Sequence, residues 1–512
     1  MRPIAAAFLV GALLTKSAFA AEGAGAPVVR TDLGPVRGAQ RDGIAFFGNI
    51  PYAAPPVGAR RWRAPAAPGP WTRPRDASQS GPDCPQPLRD GREAAPQSED
   101  CLTLNVATPN PNARKLPVLV SIHGGAYFVG SGRELFARGV PPIVGKGVVL
   151  VAPNYRIGRL GFFSHPALST EARSANSNYW LMDQVAALQW VRRNIARFGG
   201  DPGNVTIIGC SAGGSSVNAL VASPQARNLF VRASVHSGGG LFNANRPLAQ
   251  AEQQGIAFAR RVGVTDTGRG GLLQLRNLKV ADVLRGDTGA PDFGAVVDGT
   301  WLEAPISVTL ARGQFSHVPL MSGSTSNEAS VFGLMGFGRD TLEKRFKLNF
   351  AALEPAYGPL DPAEFLRQVQ TDFIFTASSM GMTQLAARGG VTAWSYHFDY
   401  VNSARLGQVP GPGHCEDMPY WFGQLQNPSL KDQQVSAILQ QYLLNYVRMG
   451  DPNGPGLPRW QPVTAGTIAP LVVDSGGFHV MRNFRSRQLS PLYAKWQADT
   501  GQSLGLKAAN GQ

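Results

Sequence analysis

An α/β architecture, with a mostly parallel sheet wrapped by helices on both faces, is predicted by three observations. Short apolar runs suited to buried strands end in glycines or polar exits. Segments with apolar residues at helical spacing stand between them. The two kinds alternate from Leu116 onward, which is how strands buried on both sheet faces are laid out along a chain.

The elements follow in order. Residues 28–112 hold short β-like runs and proline-rich turns such as "NIPYAAPPVGARRWRAP". "LPVLVSIHGG" and "GVVLVAPNYR" are two apolar strands. "YWLMDQVAALQWVRRNIARF" places Leu181, Val185, Leu188, Val191 and Ile195 on one helical face. "VTIIG" is a third strand, "SAGGSSVNALVAS" a helix and "ASVHSGG" a fourth strand. Residues 240–315 are less regular and read as a cap over the sheet. "SHVPLMSGSTSNE" is a strand with a polar exit, and the stretch from "RFKLNF" to "QLAA" reads mainly helical. "TAWSYHFDYV" is a strand, "KDQQVSAILQQYLLNYVRMG" an amphipathic helix stopped at Gly450, and "APLVVDSGG" a last strand.

Residues 1–20 have the form of a secretory signal peptide: Arg2, an apolar core from Ile4 to Leu14, and Ala18-Phe19-Ala20 for cleavage after Ala20. Residues 21–27 read as a flexible lead and 28–512 as one catalytic domain. No later stretch is apolar enough to span a bilayer, so the expected product is exported, secreted or periplasmic, without stable membrane insertion. The 512 residues carry a formal charge of +14, or +12 without Arg2 and Lys16. The arginines are dispersed rather than gathered on one element, which disfavours nucleic acid as a partner and leaves attraction of anionic substrates open. Four cysteines in an exported chain point to disulfides. Cys84 and Cys101 flank one proline-rich loop and form the natural local pair, leaving Cys210 for Cys415.

The chemistry starts at "GCSAGG". Ser211 sits between a strand and a helix, and the glycines around it suit a strained turn that lifts a hydroxyl towards substrate. A serine nucleophile needs a base, and the base needs an orienting carboxylate. In this strand–turn–helix setting the acid and histidine follow the serine. His317, His397, His414 and His479 are the available bases. His414 lies in the glycine- and proline-rich "GPGHCEDMPYWFG", while His397 falls within a strand. Glu328 directly follows a strand; Asp298 in a "DG" turn and Asp399 are rival acids. "HGGAYFVG" offers unhindered backbone N–H groups for a developing oxyanion, with Ala212 N–H as the last donor. His123 reads as a brace for that loop.

These segments together resemble the type-B carboxylesterase/cholinesterase family of α/β-hydrolases, from about Val28 to about Arg485. "FFGNIPYAAPPVGARRWRAP", "EDCLTLNV", "HGGAYFVG", "NYRIGRLGFF", "NYWLMDQVAALQWVRRNIARFGGDPGNVTIIGCSAGG", "VDG" and "HCEDMPYWFG" stand in the family's order. The resemblance implies an α/β-hydrolase fold with cap insertions and an ester hydrolase with Ser211 as nucleophile, Glu328 as acid and His414 as base. It further implies Gly125, Ala126 and Ala212 as oxyanion donors, Gly124 as the shaper of that turn, and Cys84–Cys101 as the family's first disulfide. No metal or organic cofactor is required.

Three departures stand out. Asn49 replaces a usual glycine. Cys210 replaces a usual glutamate, and Cys415 directly follows the histidine where the family has no cysteine. The last two flank Ser211 and His414, an arrangement similar to that of tannase-like feruloyl esterases, and a Cys210–Cys415 disulfide is expected. Tyr127, Phe128, Trp180, Tyr420 and Trp421 are candidates for a substrate pocket or for core. The expected partner is a small or medium ester. The basic charge leans towards anionic esters, and the family includes enzymes that release tricarballylate from fumonisins. A non-catalytic adhesion protein of this family would have lost triad residues, all three of which are present here. A lipase would call for a long amphipathic lid, and none is evident.

Overall fold

The computed structural model describes residues 26–87, 95–172, 177–242, 245–287 and 294–506, with only the backbone at 334 and 335. The expected signal peptide, and the expected lead up to residue 25, lie outside the described residues.

An eleven-stranded sheet organises the chain. Its strands are β1 (Ala39–Arg41), β2 (Ile44–Pro51), β3 (Thr103–Thr108), β4 (Leu116–Ile122), β5 (Val149–Pro153) and β6 (Gly200–Cys210). They continue with β7 (Arg232–His236), β8 (Leu320–Thr325), β9 (Ala393–Phe398), β10 (Leu471–Asp474) and β11 (Gly477–Val480). The spatial order is β11-β10-β9-β8-β7-β6-β4-β5-β3-β2-β1. β4 to β10 pair in parallel; β1, β2, β3 and β11 are antiparallel. β11 extends the sheet beyond the last strand expected from the sequence, because the turn at Ser475-Gly476 folds it back on β10.

The helices used below are α1 (Tyr179–Asn194), α2 (Ala212–Ala222), α3 (Leu248–Arg261), α4 (Arg269–Asn277), α5 (Ala377–Arg388), α6 (Met418–Phe422), α7 (Leu430–Met449) and α8 (Ser486–Thr500). Alternation along the strands creates two cores. Val118, Val120 and Ile122 of β4 face one, with Leu188 of α1, Leu220 of α2 and Trp496 of α8. Leu119 of β4 faces the other, with Trp421 of α6 and Leu443 of α7. This is the reason the strands are apolar without a break. α7 starts with a Ser429/Asp432 capping box and stops at Gly450, whose φ of 83° ends the helix in the left-handed conformation.

Residues 240–315 prove more regular than their sequence suggests. α3 and α4 contain glycine and few periodic apolar residues, so propensity alone leaves them indistinct. Phe258, Leu272 and Leu275 stabilise them by packing on Trp62, Phe163 and Tyr179 in a separate cluster. Asn49 also finds its reason here. Its φ is 52°, in the left-handed region that favours glycine and that asparagine tolerates best among other residues.

A buried ion pair fixes the loop after β5 to α1. Arg156 donates to both Asp183 carboxylate oxygens at 2.7 Å, and its own backbone N–H reaches Oδ2 at 3.1 Å. The two side chains are 3% and 0% exposed. Removing one partner strands a buried charge, so Asp183→Asn is expected to cost about 3–5 kcal/mol. Denaturant midpoints at fixed slope measure this; a loss below about 1 kcal/mol would contradict the account.

Candidate functional site

The parallel strands leave their C-terminal ends on one edge of the sheet, and the candidate residues collect there. β6 runs into Ser211, the residue before α2, whose φ of 60° and ψ of −127° form a strained elbow. The strain is imposed by packing. A Cβ on Gly209 would lie 2.4 Å from the carbonyl carbon of Gly213, and one on Gly213 would lie 2.1 Å from the Ile122 oxygen. Only glycines let α2 sit this close to β4 and β6. The Ser211 N–H donates to the His236 carbonyl at 3.0 Å, which locks the turn to β7.

β8 delivers the carboxylate. Glu328 opens the short turn after β8 and is fully buried. Its Oε1 accepts from Thr325 N–H at 2.8 Å and from the Ser237 hydroxyl at 2.5 Å. Its Oε2 faces Nδ1 of His414 in a short hydrogen bond. A carboxylate so buried requires such partners. Among the described residues, Glu328 is the acid paired with His414. Asp298 instead accepts the N–H groups of Thr300, Trp301 and Leu302 in its own turn.

β9 leads into the loop that carries His414. His414 N–H donates to Ser330 Oγ at 2.9 Å, and Asn327 N–H donates to the Pro412 carbonyl at 3.1 Å, stitching this loop to the exit of β8. The imidazole lies 4.7 Å from the Phe375 ring. Its Nε2, opposite the nitrogen held by Glu328, is buried and has no hydrogen-bond partner among the described residues. The other sequence candidates lie elsewhere. His397 is buried within β9 against Phe484, and burial, then Arg485, depress its pKa to about 3, so it stays neutral. His317 is exposed, and His479 sits on the last hairpin near Asp474.

Both disulfides are present, Cys84–Cys101 and Cys210–Cys415. The second joins the residue before Ser211 to the residue after His414, with Cα atoms 6.1 Å apart. It links the β6 elbow covalently to the loop after β9.

The glycine loop after β4 lies against the elbow. A Cβ on Gly124 would approach the Cys210 oxygen to 2.8 Å and Ser211 Cβ to 3.3 Å. Gly125, Ala126 and Tyr127 have φ of 104°, 55° and 62°, a run of left-handed residues that turns the chain sharply. Phe128 and Val129 N–H close the turn on the Gly125 carbonyl. The Gly125 and Ala126 N–H groups make no such bond among the described residues. His123 stacks on Tyr155 at 4.2 Å, and the Tyr155 hydroxyl donates to its carbonyl at 2.8 Å, which braces the loop.

The aromatic candidates separate. Tyr127 and Phe128 are half-buried on this loop, and Tyr127 leans on Phe162 and on the fully buried Trp180. Trp421 is core: it has no exposure, packs 5.3 Å from His236 and donates its indole N–H to Asp417. Tyr420 faces a different cavity. The sequence reading missed Ser237 and Ser330, whose only signal was a small polar residue just past a strand. It also missed the buried group of His236, Tyr396 and Asp417 beneath the elbow, where the Tyr396 hydroxyl donates to Asp417 at 2.6 Å. Burial raises the Asp417 pKa, but hydrogen bonds from His236, Tyr396 and Trp421 outweigh it and hold the carboxyl below its usual range. Among the described residues no group of three or more His, Cys, Asp or Glu side chains is placed to hold a metal.

Comparison with known proteins agrees with this layout. The pattern of the Carboxylesterase family matches residues 25–357 and 359–490. The chain is 32% identical over 486 residues to para-nitrobenzyl esterase of Bacillus subtilis (strain 168), covering 88% of this chain and 95% of that one. It is 34% identical over 436 residues to fumonisin B1 esterase of Sphingopyxis macrogoltabida, covering 82% and 79%. A solved PNB esterase is similar with a TM-score of 0.80 at 29% identity, covering 91% of this chain and 99% of that one.

The Cys210–Cys415 bond closes a span of 205 residues, worth on the order of 5 kcal/mol by chain entropy alone. Its position predicts a local effect first. With Cys210→Ala and Cys415→Ala combined, kcat on a neutral aryl ester is expected to fall by about tenfold or more, because a small misplacement of His414, the base expected from the sequence, is costly. Tryptophan fluorescence at 25 °C is expected to stay native. Full activity in the double variant would refute a positioning role for the bond.

Proposed function

This chain belongs to the carboxylesterase family, and from that premise we propose that it cleaves carboxylic esters with Ser211, His414 and Glu328 through an acyl-enzyme intermediate. It is a carboxylesterase with an α/β-hydrolase fold. The observation that carries the triad reading is the state of His414. Nδ1 is held by a buried carboxylate, and Nε2 has no partner among the described residues, on a loop joined covalently to the Ser211 elbow.

In this mechanism His414 Nε2 takes the proton of Ser211 as its Oγ attacks the ester carbonyl. Glu328 orients the imidazole and stabilises its cation without taking the proton. The N–H groups of Gly125, Ala126 and Ala212 receive the oxyanion, with the N-terminus of α2 adding its dipole. His414 then protonates the leaving alcohol, activates water and releases the acid. Residues 28–512 act as one catalytic unit, exported after cleavage near Ala20. Among the described residues no helix is long and apolar enough to cross a membrane.

For substrate, we favour small or medium esters that carry an anionic group. The support is the basic charge of the chain, +12 once Arg2 and Lys16 are removed, and a relative named fumonisin B1 esterase.

Ser211→Ala is expected to lower kcat on a simple aryl ester by at least roughly 10⁴-fold with an unchanged circular dichroism spectrum; turnover near wild type would sink the assignment. Paired neutral and carboxylated esters test the substrate reading. A higher kcat/KM for the carboxylated member, shrinking as salt rises from about 0.01 to 1 M, is expected. Indifference to both charge and salt would remove it.

A further inference from the structure

A cavity of about 420 Å³ lies under the loop between β9 and α6. Neither Ser211 nor His414 lines it. Its wall is aromatic: Phe398, Tyr400 and Tyr420 pack together with ring centres 5.2–6.4 Å apart. Two arginines line it, Arg138 and Arg405. Arg138 makes no ion pair or hydrogen bond among the described residues. Tyr420 is only 5% exposed, yet its hydroxyl has no partner among the described residues. Burial, then the nearby Asp432 carboxylate, push its pKa up, so it remains a donor.

We propose that this cavity binds a small aromatic carboxylate and that occupancy changes the setting of His414. The ring lies against the wall formed by Phe398, Tyr400 and Tyr420, the carboxylate meets Arg138 and Arg405, and the Tyr420 hydroxyl donates to it. Two cations and a hydroxyl donor share one half-enclosed cavity with an aromatic wall, which is the pattern of a site for an amphipathic anion. The acids that line it are already engaged. Asp432 accepts from Tyr400 and from Ser429 and caps α7. Glu416 pairs with Arg405 at 2.6 Å, with side chains 40% and 42% exposed. An ion pair this exposed is weak, so a ligand carboxylate competes for Arg405 readily.

The link to His414 is short. Glu416 Oε2 also accepts the Gly413 N–H at 2.9 Å, one residue before His414. Pro412, also in the cavity wall, holds Asn327 at the exit of β8 through its carbonyl. A ligand that draws Arg405 from Glu416 therefore acts on the loop that carries the base. An aromatic acid is also the type of product an esterase releases from aromatic acyl esters, so the site can report product level to the enzyme. This coupling rests on the reading of His414 as the base; the binding does not.

The test uses 2-naphthoate and neutral 2-naphthamide with the full-length enzyme. By calorimetry, 2-naphthoate is expected to bind with Kd below about 1 mM and the amide at least about tenfold more weakly. Arg138→Glu, at an exposed position, is expected to weaken 2-naphthoate about tenfold or more, and Arg138→Lys to restore most of it. In steady-state assays on a neutral aryl acetate, 2-naphthoate is expected to change kcat at saturating substrate in wild type and not in Arg138→Glu. Binding that survives Arg138→Glu, absence of binding at about 10 mM, or an effect on KM alone each overturns the proposal. Intact binding with no kcat effect refutes the coupling to His414; Ser211→Ala and His414→Gln check the assignment of the base separately.

Discussion

Parallel pairing of β6, β7, β8 and β9 brings four strand exits to one edge of the sheet, and the candidate site depends on that constraint. β6 ends at the Ser211 elbow. β7 ends at His236 and Ser237, one holding the elbow through its carbonyl and the other holding Glu328 through its hydroxyl. β8 ends just before Glu328, and β9 opens the loop to His414. Neighbouring strands stand about 4.8 Å apart, so their exits are within side-chain reach of one another without any long connection. The rule that ligands gather at the carboxyl ends of parallel strands has a direct physical source here.

Close approach has conditions. The helix after β6 can lie against β4 only because Gly209 and Gly213 have no side chains. The glycine loop after β4 can lie against the elbow only because Gly124 has none. Ser211 itself adopts a backbone conformation that L-residues resist, and the surrounding hydrogen bonds and packing hold it there. The energy for this comes from the two apolar cores on either face of the sheet, together with buried pairs such as Arg156–Asp183. The Cys210–Cys415 bond adds a covalent limit where the fold is otherwise held by a loop. The His414 segment is irregular, and loops are the first parts of a fold to move. Tying its cysteine to the elbow keeps serine and histidine in one rigid frame.

Beneath that frame the buried His236, Tyr396 and Asp417 group joins β7, β9 and the start of α6. It puts a buried polar network under the elbow, with Asp417 two residues past the disulfide; Asp417 Oδ2 meets His236, Tyr396 and Trp421, while its buried Oδ1 has no partner among the described residues. The cavity beside Tyr420 uses the far side of the same loop. One short segment, residues 399–417, thus faces the candidate catalytic groups on one side and a mixed aromatic and cationic cavity on the other.

Much of this was legible in the sequence because it is local. The elbow follows from glycines at fixed offsets from Ser211, α7 from a serine at its start and Gly450 at its end, and the sheet from apolar runs between helical ones. The cysteines beside Ser211 and His414 were legible as a pair because both changes flank motifs. The cap helices α3 and α4 and the strand β11 were not, since packing on Trp62 and Phe163 and pairing with β10 define them. Four histidines and three carboxylates remained open by chemistry alone. The family resemblance pointed to His414 and Glu328, and the tertiary structure brings the two together: their contact spans 86 residues, and the exits of two strands set its distance. The same holds for Tyr420 and Trp421. They are neighbours in sequence, yet one lines a cavity and the other is sealed in the core, because adjacent residues on a helix point in different directions.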